Sequence, residues 1–361
     1  MKMSICHFRL WSSLVLSLIL WSDTITSDAA IGSSYLRKIR EVNKLGPYLG
    51  IVVPNMFEMD PLLRSDRFVP DSRTTSLDIM GRRFRVGKVG HQKVIIVMTG
   101  LSMVLNAGIT TELLLALFEV DGVVHYGIAG NANPELQIGD VTIPRYWAHS
   151  GLWSWQRYGS GPNDTLAQEP DDDSFTREIG YLRFANYSTK SSSSSESDNF
   201  LNSVWYQREE IFPVDGSPEV RQRIFKVPVD SRYMEVAESI ERDGVALARC
   251  VSWTACLPKA PILATVEMGV SGSVFVDNKA YGEFLNSEFN ATAVDMESAA
   301  VALVCYQQKV PFIAIRALSD LAGAGEGGSS ARSDEADALV HLAAANAVRV
   351  LIKFIAALAS W

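Results

Sequence analysis

The chain has 361 residues, 47% of them hydrophobic and 20% charged, with a formal net charge of -8. That length holds one large α/β domain or two small ones, and the composition is that of a globular protein with a substantial core. The acidic balance argues against a nucleic-acid polymer as partner, since a negative surface repels a phosphate backbone, but it leaves room for a small nucleoside in a pocket with its own local field.

The N-terminus has the layout of a signal peptide over residues 1–27. Lys2 and Arg9 precede a short apolar stretch at 10–21, broken by Ser12, Ser13 and Ser17, and small residues follow at Ser27, Ala29 and Ala30. The stretch is short for a bilayer span, so the expectation is a cleaved leader, a secretory route ending extracellularly or in a vacuole, and no stable membrane insertion. The alternative is a membrane anchor or a misplaced start. Sequons at Asn163, Asn186 and Asn290 agree with secretion, although such triplets are common by chance.

A polar, helical-looking lead-in runs to about residue 45. Residues 49–53 are a short apolar run closed by Pro54, as in a buried strand, and 93–99 are a second run stopped by Gly100. Residues 109–120 carry Leu113, Leu114, Leu117 and Phe118 at helical spacing, and 122–129 return to a β-branched strand closing on Gly130. Strand, glycine turn, helix and strand in that order predict βαβ units and a largely parallel sheet. A strand is predicted at 141–144. Residues 150–205, with their acidic cluster Asp171–Asp173 and serine run 191–195, read as a long exposed insertion.

Beyond it, 231–243 is predicted as a helix and 262–267 as a strand. Helices follow at 279–288 and 296–308, and a strand at 311–317. The last helix opens at Ser333, with Asp334 and Glu335 in its first turn, where acids suit the helix dipole. Leu339, Val340, Ala343, Ala347, Val350, Leu351 and Phe354 give it an apolar stripe. With no repeat and no linker, the expectation is one domain over about 45–361.

Of the four cysteines, Cys6 falls in the leader. Cys250 and Cys256 are near enough to pair across a short loop in an oxidising compartment, and Cys305 reads as a buried small hydrophobe in a helix. No Cys/His spacing resembles a zinc site, and His7, His91, His125, His149 and His341 are scattered, so neither metal nor cofactor is expected.

Three features carry chemistry. Gly127 and Gly130 sit at the carboxyl end of a predicted parallel strand, where open α/β sheets bind ligands, although an ordinary tight turn has the same sequence. Asp295 and Glu297 stand where a strand gives way to a helix. They either stabilise the helix start or, in the case of Glu297, accept hydrogen bonds from a vicinal diol. Arg316, Ser319 and Asp320 close another strand, before glycines at 323, 325, 327 and 328 that read as a pocket lid or as a plain surface loop.

Together the segments GIAGN (127–131), IGDV (138–141), SGSVFV (271–276), VDMESAAVALVC (294–305) and VPFIAIRALSD (310–320) resemble the nucleoside phosphorylase/uridine phosphorylase superfamily, in the pattern of the methylthioadenosine/S-adenosylhomocysteine nucleosidases. The resemblance spans about 48–361 and leaves 150–210 uncovered. The leader, the segment HSGLWSWQRYG (149–159) and the serine run are similar to the secreted plant bark-storage and wound-induced branch. The fold it implies is a mixed, largely parallel sheet between helices, a three-layer sandwich, in a homo-oligomer that takes a small purine nucleoside.

Residue by residue, the resemblance implies that Asp320 protonates purine N7 from a raised pKa, oriented by Ser319. Met296 and Glu297 match the ribose contacts. Phe275 matches the aromatic stacked on the base, and Val276 the position whose backbone pairs with it. Glu58 matches the general base for water, and Arg316 the residue that helps hold that water. Ile128 departs from the pattern, standing where the family carries a hydroxyl, and His125 stands where phosphorylases place a phosphate-binding arginine. Those two positions argue against phosphorolysis and remove a supporting contact worth about 1–2 kcal/mol from hydrolysis. The expectations are therefore a purine-nucleoside N-glycosidase or, as the alternative, a catalytically weak or inactive storage protein.

Overall fold

The computed structural model describes residues 32–100, 104–155, 182–183, 203–251, 256–322 and 333–361. The expected leader, the sequons at Asn163 and Asn186, most of the expected insertion and the glycine loop after Asp320 lie outside the described residues.

Helix α1 (Ser33–Asn43) leads into β1 (Tyr48–Val53) and α2 (Met56–Leu63). Strands β2 (Phe68–Pro70), β3 (Ser76–Ile79), β4 (Arg82–Val89) and β5 (Gln92–Met98) follow, then α3 (Val104–Leu117), β6 (Val120–Asn131) and β7 (Val141–His149). Short strands β8 (Trp153–Trp155), β9 (Leu182–Arg183) and β10 (Ser203–Tyr206) form a small separate sheet, and β11 (Glu209–Ile211) pairs with β12 (Gln222–Ile224). The chain closes with β13 (Val227–Pro228), α4 (Ser231–Asp243), β14 (Leu263–Ser271), α5 (Lys279–Phe289), β15 (Ala291–Asp295), α6 (Ser298–Gln307), β16 (Phe312–Leu321) and α7 (Ser333–Leu358).

The central sheet has eleven strands in the order β13-β7-β14-β15-β6-β1-β5-β4-β2, with β16 paired to both β6 and β7 and β3 paired to β4. Its heart is parallel: β1 with β5, β1 with β6, β16 with β6, and β14 with both β7 and β15. Antiparallel pairing is confined to β15–β6, β16–β7, β13–β7 and the β2–β5 meander. Parallel strands buried on both faces need apolar runs, and all six residues of β1 are buried, as are Val94 to Val97 of β5. Helices α2 and α4 pack on α7, and α7 packs on β6 and β16. Helices α3 and α6 pack on each other, and α6 covers β7 and β14. The sheet is thus held between two helical layers, in the mixed, largely parallel arrangement expected.

Differences from the sequence reading have local causes. The meander β2–β4 was not expected, because arginines interrupt its apolar residues; the buried Phe84 and Val86 alternate with the exposed Arg83 and the half-buried Arg85. The predicted helix at 109–120 begins five residues earlier, at Val104, and ends at Leu117, so that Val120 already opens β6. The predicted helix at 296–308 begins at Ser298, which leaves Met296 and Glu297 in the turn before α6. Ile39 and Val42 of α1 are buried in the main core, so the packed unit starts ahead of residue 45.

Helix α7 is long and apolar enough to cross a membrane by length and composition, but 56% of that stretch is buried inside the fold, as in a core helix. Ala343, Ala347, Val350, Leu351 and Phe354 form its fully buried stripe. Cys250 and Cys256 are joined in a disulfide, and Cys305 is a buried free thiol in α6. Asn290 is exposed at the left-handed C-cap of α5.

Phe354 tests the core. Its ring is fully buried and meets Tyr233 of α4 edge-on at 5.6 Å. Phe354→Ala should cost about 3–5 kcal/mol of stability, measured by urea unfolding, because the close-packed layer cannot collapse into the gap.

Candidate functional site

The site forms at the carboxyl ends of β1, β6, β15 and β16. Asn55 caps α2, its side-chain oxygen accepting from the Glu58 N–H at 3.1 Å. The same side chain's amide donates to Glu58 Oε2 at 2.6 Å. From β6, the Ile128 N–H donates to Glu58 Oε1 at 2.7 Å, and the Tyr126 hydroxyl donates to the Glu58 carbonyl at 3.2 Å. Glu58 is thereby fixed at the first turn of α2, only 1% exposed. Burial pushes its carboxyl up to about 8; Arg316 and the Ile128 N–H oppose the shift without cancelling it.

Arg316, at the centre of β16, is wholly buried. Its Nε lies 2.7 Å from Asp295 Oδ2, and Nε and Nη2 donate to Ser298 Oγ at 3.0 and 2.9 Å. Nη2 also meets His125 Nε2, and Nη1 donates to the Ile128 carbonyl at 3.3 Å. Glu58 Oε1 stands 4.0 Å from Nη1. His125 Nδ1 lies 2.9 Å from the Val52 carbonyl, so the tautomer that donates there leaves Nε2 free to accept from Arg316. Burial, then the guanidinium, hold His125 well below its usual pKa and keep it neutral.

Asp295 ends β15 with both oxygens in use. Oδ1 accepts from Ser271 Oγ at 2.5 Å and from the Glu297 and Ser298 N–H groups at 3.2 Å; Oδ2 accepts from Ser298 Oγ at 2.5 Å. It therefore stabilises the start of α6 and pairs with Arg316 at once. Glu297 is 5% exposed, and one side-chain atom each of His125, Asp295 and Glu297 lie within 4.8 Å of one another. Burial, and then the Asp295 charge, push the Glu297 carboxyl up. These three residue types can ligate metals, but the Arg316 guanidinium already satisfies His125 and Asp295, and its fixed charge repels a cation.

Beside this cluster lies a crevice of about 30 Å3 lined by Gly130, Phe275, Val276, Met296, Asp320 and neighbouring residues. Ser319 Oγ donates to Asp320 Oδ1 at 2.5 Å and reaches the Ala129 carbonyl at 3.3 Å. Burial raises the Asp320 pKa, against the Ser319 hydrogen bond. Phe275 leaves 70% of its surface in solvent and lines the crevice at its rim.

The sequence-derived residues thus form two adjoining groups. Glu58, Arg316 and Glu297 converge around the guanidinium, while Phe275, Val276, Met296 and Asp320, steadied by Ser319, line the crevice. Ile128 meets Glu58 and Arg316 through its backbone, and its partly buried side chain packs against the main core. Sequence reasoning gave Asp295 only a helix-start role and missed His125, Ser271 and Ser298 as partners. The tight spacing of Asp295 and Ser298 carried a signal; the resemblance marked His125 as a site position, but its pairing with Arg316 depends on strand register. Gly127 is also required: a Cβ there would collide with both the Glu58 carboxylate and Arg316 Nη1.

The raised Glu58 pKa has a defined sign. Between about pH 4.5 and 8 the folded chain holds this proton and the unfolded chain does not, so stability falls as pH rises through that window. Glu58→Gln should remove this part of the slope and be the more stable protein at pH 8, as read from urea midpoints across pH.

The profile of the Phosphorylase superfamily matches residues 48–356. Bark storage protein A of Populus deltoides is 30% identical over 308 residues, covering 85% of this chain and 88% of the relative. The 5'-methylthioadenosine/S-adenosylhomocysteine nucleosidase of Staphylococcus epidermidis is 26% identical over 247 residues, covering 68% and 76%. Futalosine hydrolase of Helicobacter pylori shares the fold at a TM-score of 0.56 and 19% identity, over 88% of this chain and 99% of that one. By the profile match over most of its length and by the likeness to the poplar protein, the chain belongs to the Phosphorylase superfamily.

Proposed function

We propose that the chain binds a purine nucleoside and hydrolyses its N-glycosidic bond. The observation that carries this reading is the state of Arg316. Its Nε and Nη2 are taken up by Asp295, Ser298 and His125, and its Nη1 faces the Ile128 carbonyl and Glu58. A guanidinium so enclosed, with a carboxyl beside it, has no bidentate face for phosphate. A water at Glu58 needs only one donor and one base.

Water gives a proton to Glu58 as its oxygen bonds to C1' of the ribose. The C1'–N9 bond breaks, and its electron pair passes into the purine. Asp320 gives its proton to N7, so the base leaves neutral. Glu297, close to the same cluster, accepts hydrogen bonds from the 2'- and 3'-hydroxyls. The products are free ribose and free base. This cycle needs Asp320 protonated and Glu58 ionised. Burial helps the first and hinders the second, so ionised Glu58 accumulates only as pH rises towards about 8, while loss of the Asp320 proton opposes the gain. The Staphylococcus epidermidis nucleosidase among the relatives supports the reaction class.

The poplar relatives favour a second reading, a nitrogen reserve that needs abundance and stable folding and no turnover. The leader-like N-terminus is in keeping with secretion under either reading. A homo-oligomer is also part of the proposal: Leu105 and Ile109 of α3 are 68% and 46% exposed beside an apolar groove shared with α6, and sedimentation at micromolar concentration should give a mass above the monomer's.

Adenosine, methylthioadenosine and inosine should be tested for release of free base by the purified chain. Asp320→Asn and Glu58→Gln should each lower kcat about 100-fold or more. Absence of release from all three nucleosides, alongside an active control nucleosidase, leaves the storage reading in place.

A further inference from the structure

Among the segments that carry the family resemblance, IGDV at 138–141 supplies none of the described residues that line the crevice. Its Asp140 is nonetheless buried, with both carboxylate oxygens in use. Oδ2 accepts from the Gln137 N–H and Oδ1 from the Ile262 N–H, each at 2.9 Å. The first bond closes the turn ahead of β7. The second ties that turn to the segment entering β14, where the Val141 N–H also donates to the Ile262 carbonyl at 2.8 Å. No other side chain of this length offers two acceptor oxygens.

The same turn grips β16 through its backbone. The Gly139 N–H donates to the Leu318 carbonyl at 2.7 Å, and the Leu318 N–H donates to the Asp140 carbonyl at 2.8 Å. Gly139 has a φ of +92°, and a Cβ there would collide with Leu257, so only glycine fits this point of the turn. From α7, the wholly buried Asn346 donates to the Gly139 carbonyl at 3.3 Å.

Directly after Leu318 the strand changes register. Leu318 pairs with Ala129 of β6 and Asp320 with the next residue, Gly130, so Ser319 is the extra residue of a β-bulge. Successive residues of a strand face opposite sides, so in a regular strand Asp320 would share the face of the fully buried Leu318. The bulge shifts that alternation by one, and both Asp320 and its partner Gly130 line the crevice. Leu318 is thus the last regular residue of β16 before the acid, and both its backbone groups are held by the turn that Asp140 closes.

We propose that Asp140 is a positioning residue for Asp320: its carboxylate locks the turn that holds Leu318, and this anchors the bulge that delivers Asp320 to the crevice. The catalytic consequence rests on the hydrolytic reading above, in which Asp320 protonates the base. The grip on Asp320 stands on geometry alone.

The test is Asp140→Asn, which keeps the size of the side chain but turns one acceptor oxygen into an NH2 facing an N–H donor, so that Gln137 or Ile262 loses its partner. The Asp320 carboxyl is followed by carbon NMR titration, its signal identified by its loss in Asp320→Asn. Burial raises the Asp320 pKa, so an acid freed towards solvent should titrate closer to the ordinary aspartate range in Asp140→Asn, with the Glu58 signal unmoved. In base-release assays kcat should fall about tenfold or more, because small misplacements of a reacting group are costly, while KM holds, since Asp140 is not among the residues lining the crevice. Phe354→Leu, a core change elsewhere, should leave the Asp320 titration and the kcat as they are. If Asp140→Asn does not fold, Gln137→Pro removes one N–H donor, leaves the buried carboxylate in place and should move the same readouts in the same direction. An Asp320 titration unchanged in the folded variant, or moved equally by Phe354→Leu, overturns the proposal. A moved titration in a chain that releases no base from any nucleoside supports the grip and sinks the hydrolytic reading alone.

Discussion

A guanidinium with no solvent exposure sits at the middle of β16, and the rest of the site is arranged around it. A buried charge is tolerated only if its donors are matched and its charge is balanced. Asp295 supplies the balance at 2.7 Å, while Ser298, His125 and the Ile128 carbonyl take further donors. Removing one member of such a pair typically costs about 3–5 kcal/mol, because the other charge is left stranded. The local geometry of β15, of the turn before α6 and of the glycine at 127 is therefore tied to one side chain.

The sheet order makes this possible. Strand β6 pairs with β1, β15 and β16, so residues from four distant segments meet at its carboxyl end. Val52 of β1 fixes His125, β15 brings Asp295, β16 brings Arg316, and β6 itself offers the Ile128 N–H to Glu58. Gly127 leaves the space in which Glu58 and Arg316 approach. The hydrogen bond from Tyr126 to the Glu58 carbonyl then docks α2 against the same strand.

How much of this is legible in sequence depends on whether a feature is local. Strands β1, β5, β6 and β16 are buried on both faces and show as apolar β-branched runs. Helix α4 is framed by its own caps, Asp230 accepting from the Tyr233 N–H and Gly244 at the other end. Strand β4 hides because only half of it is buried, and its arginines break the run that a search for continuous apolar residues needs. In the site, Asp320 and Glu297 stand in compact segments where a resemblance can pick them out. The link between His125 and Arg316 spans 191 positions and exists only through strand register, so no spacing announces it. The Ile128 side chain, weighed as a lost hydroxyl, is partly buried against the core, and the backbone groups it supplies would be there for any residue.

Charge balance also decides which carboxyl pairs with the guanidinium. Three carboxyls, Glu58, Asp295 and Glu297, surround one guanidinium, and neutral His125 adds no positive charge. Asp295 claims Arg316 by distance, 2.7 Å against 4.0 Å for Glu58. Burial then prevails at Glu58 and Glu297, and both are pushed up. Asp320 is raised separately, in its own crevice and by its own burial. Groups whose environments set their protonation independently are what a reaction needs when it takes a proton from water at one end and gives a proton to a leaving group at the other. Asp295 has a folding role in holding Arg316 and the start of α6, whereas the burial of Glu58, Glu297 and Asp320 opposes folding whenever they ionise and finds its use in the hydrolytic proposal.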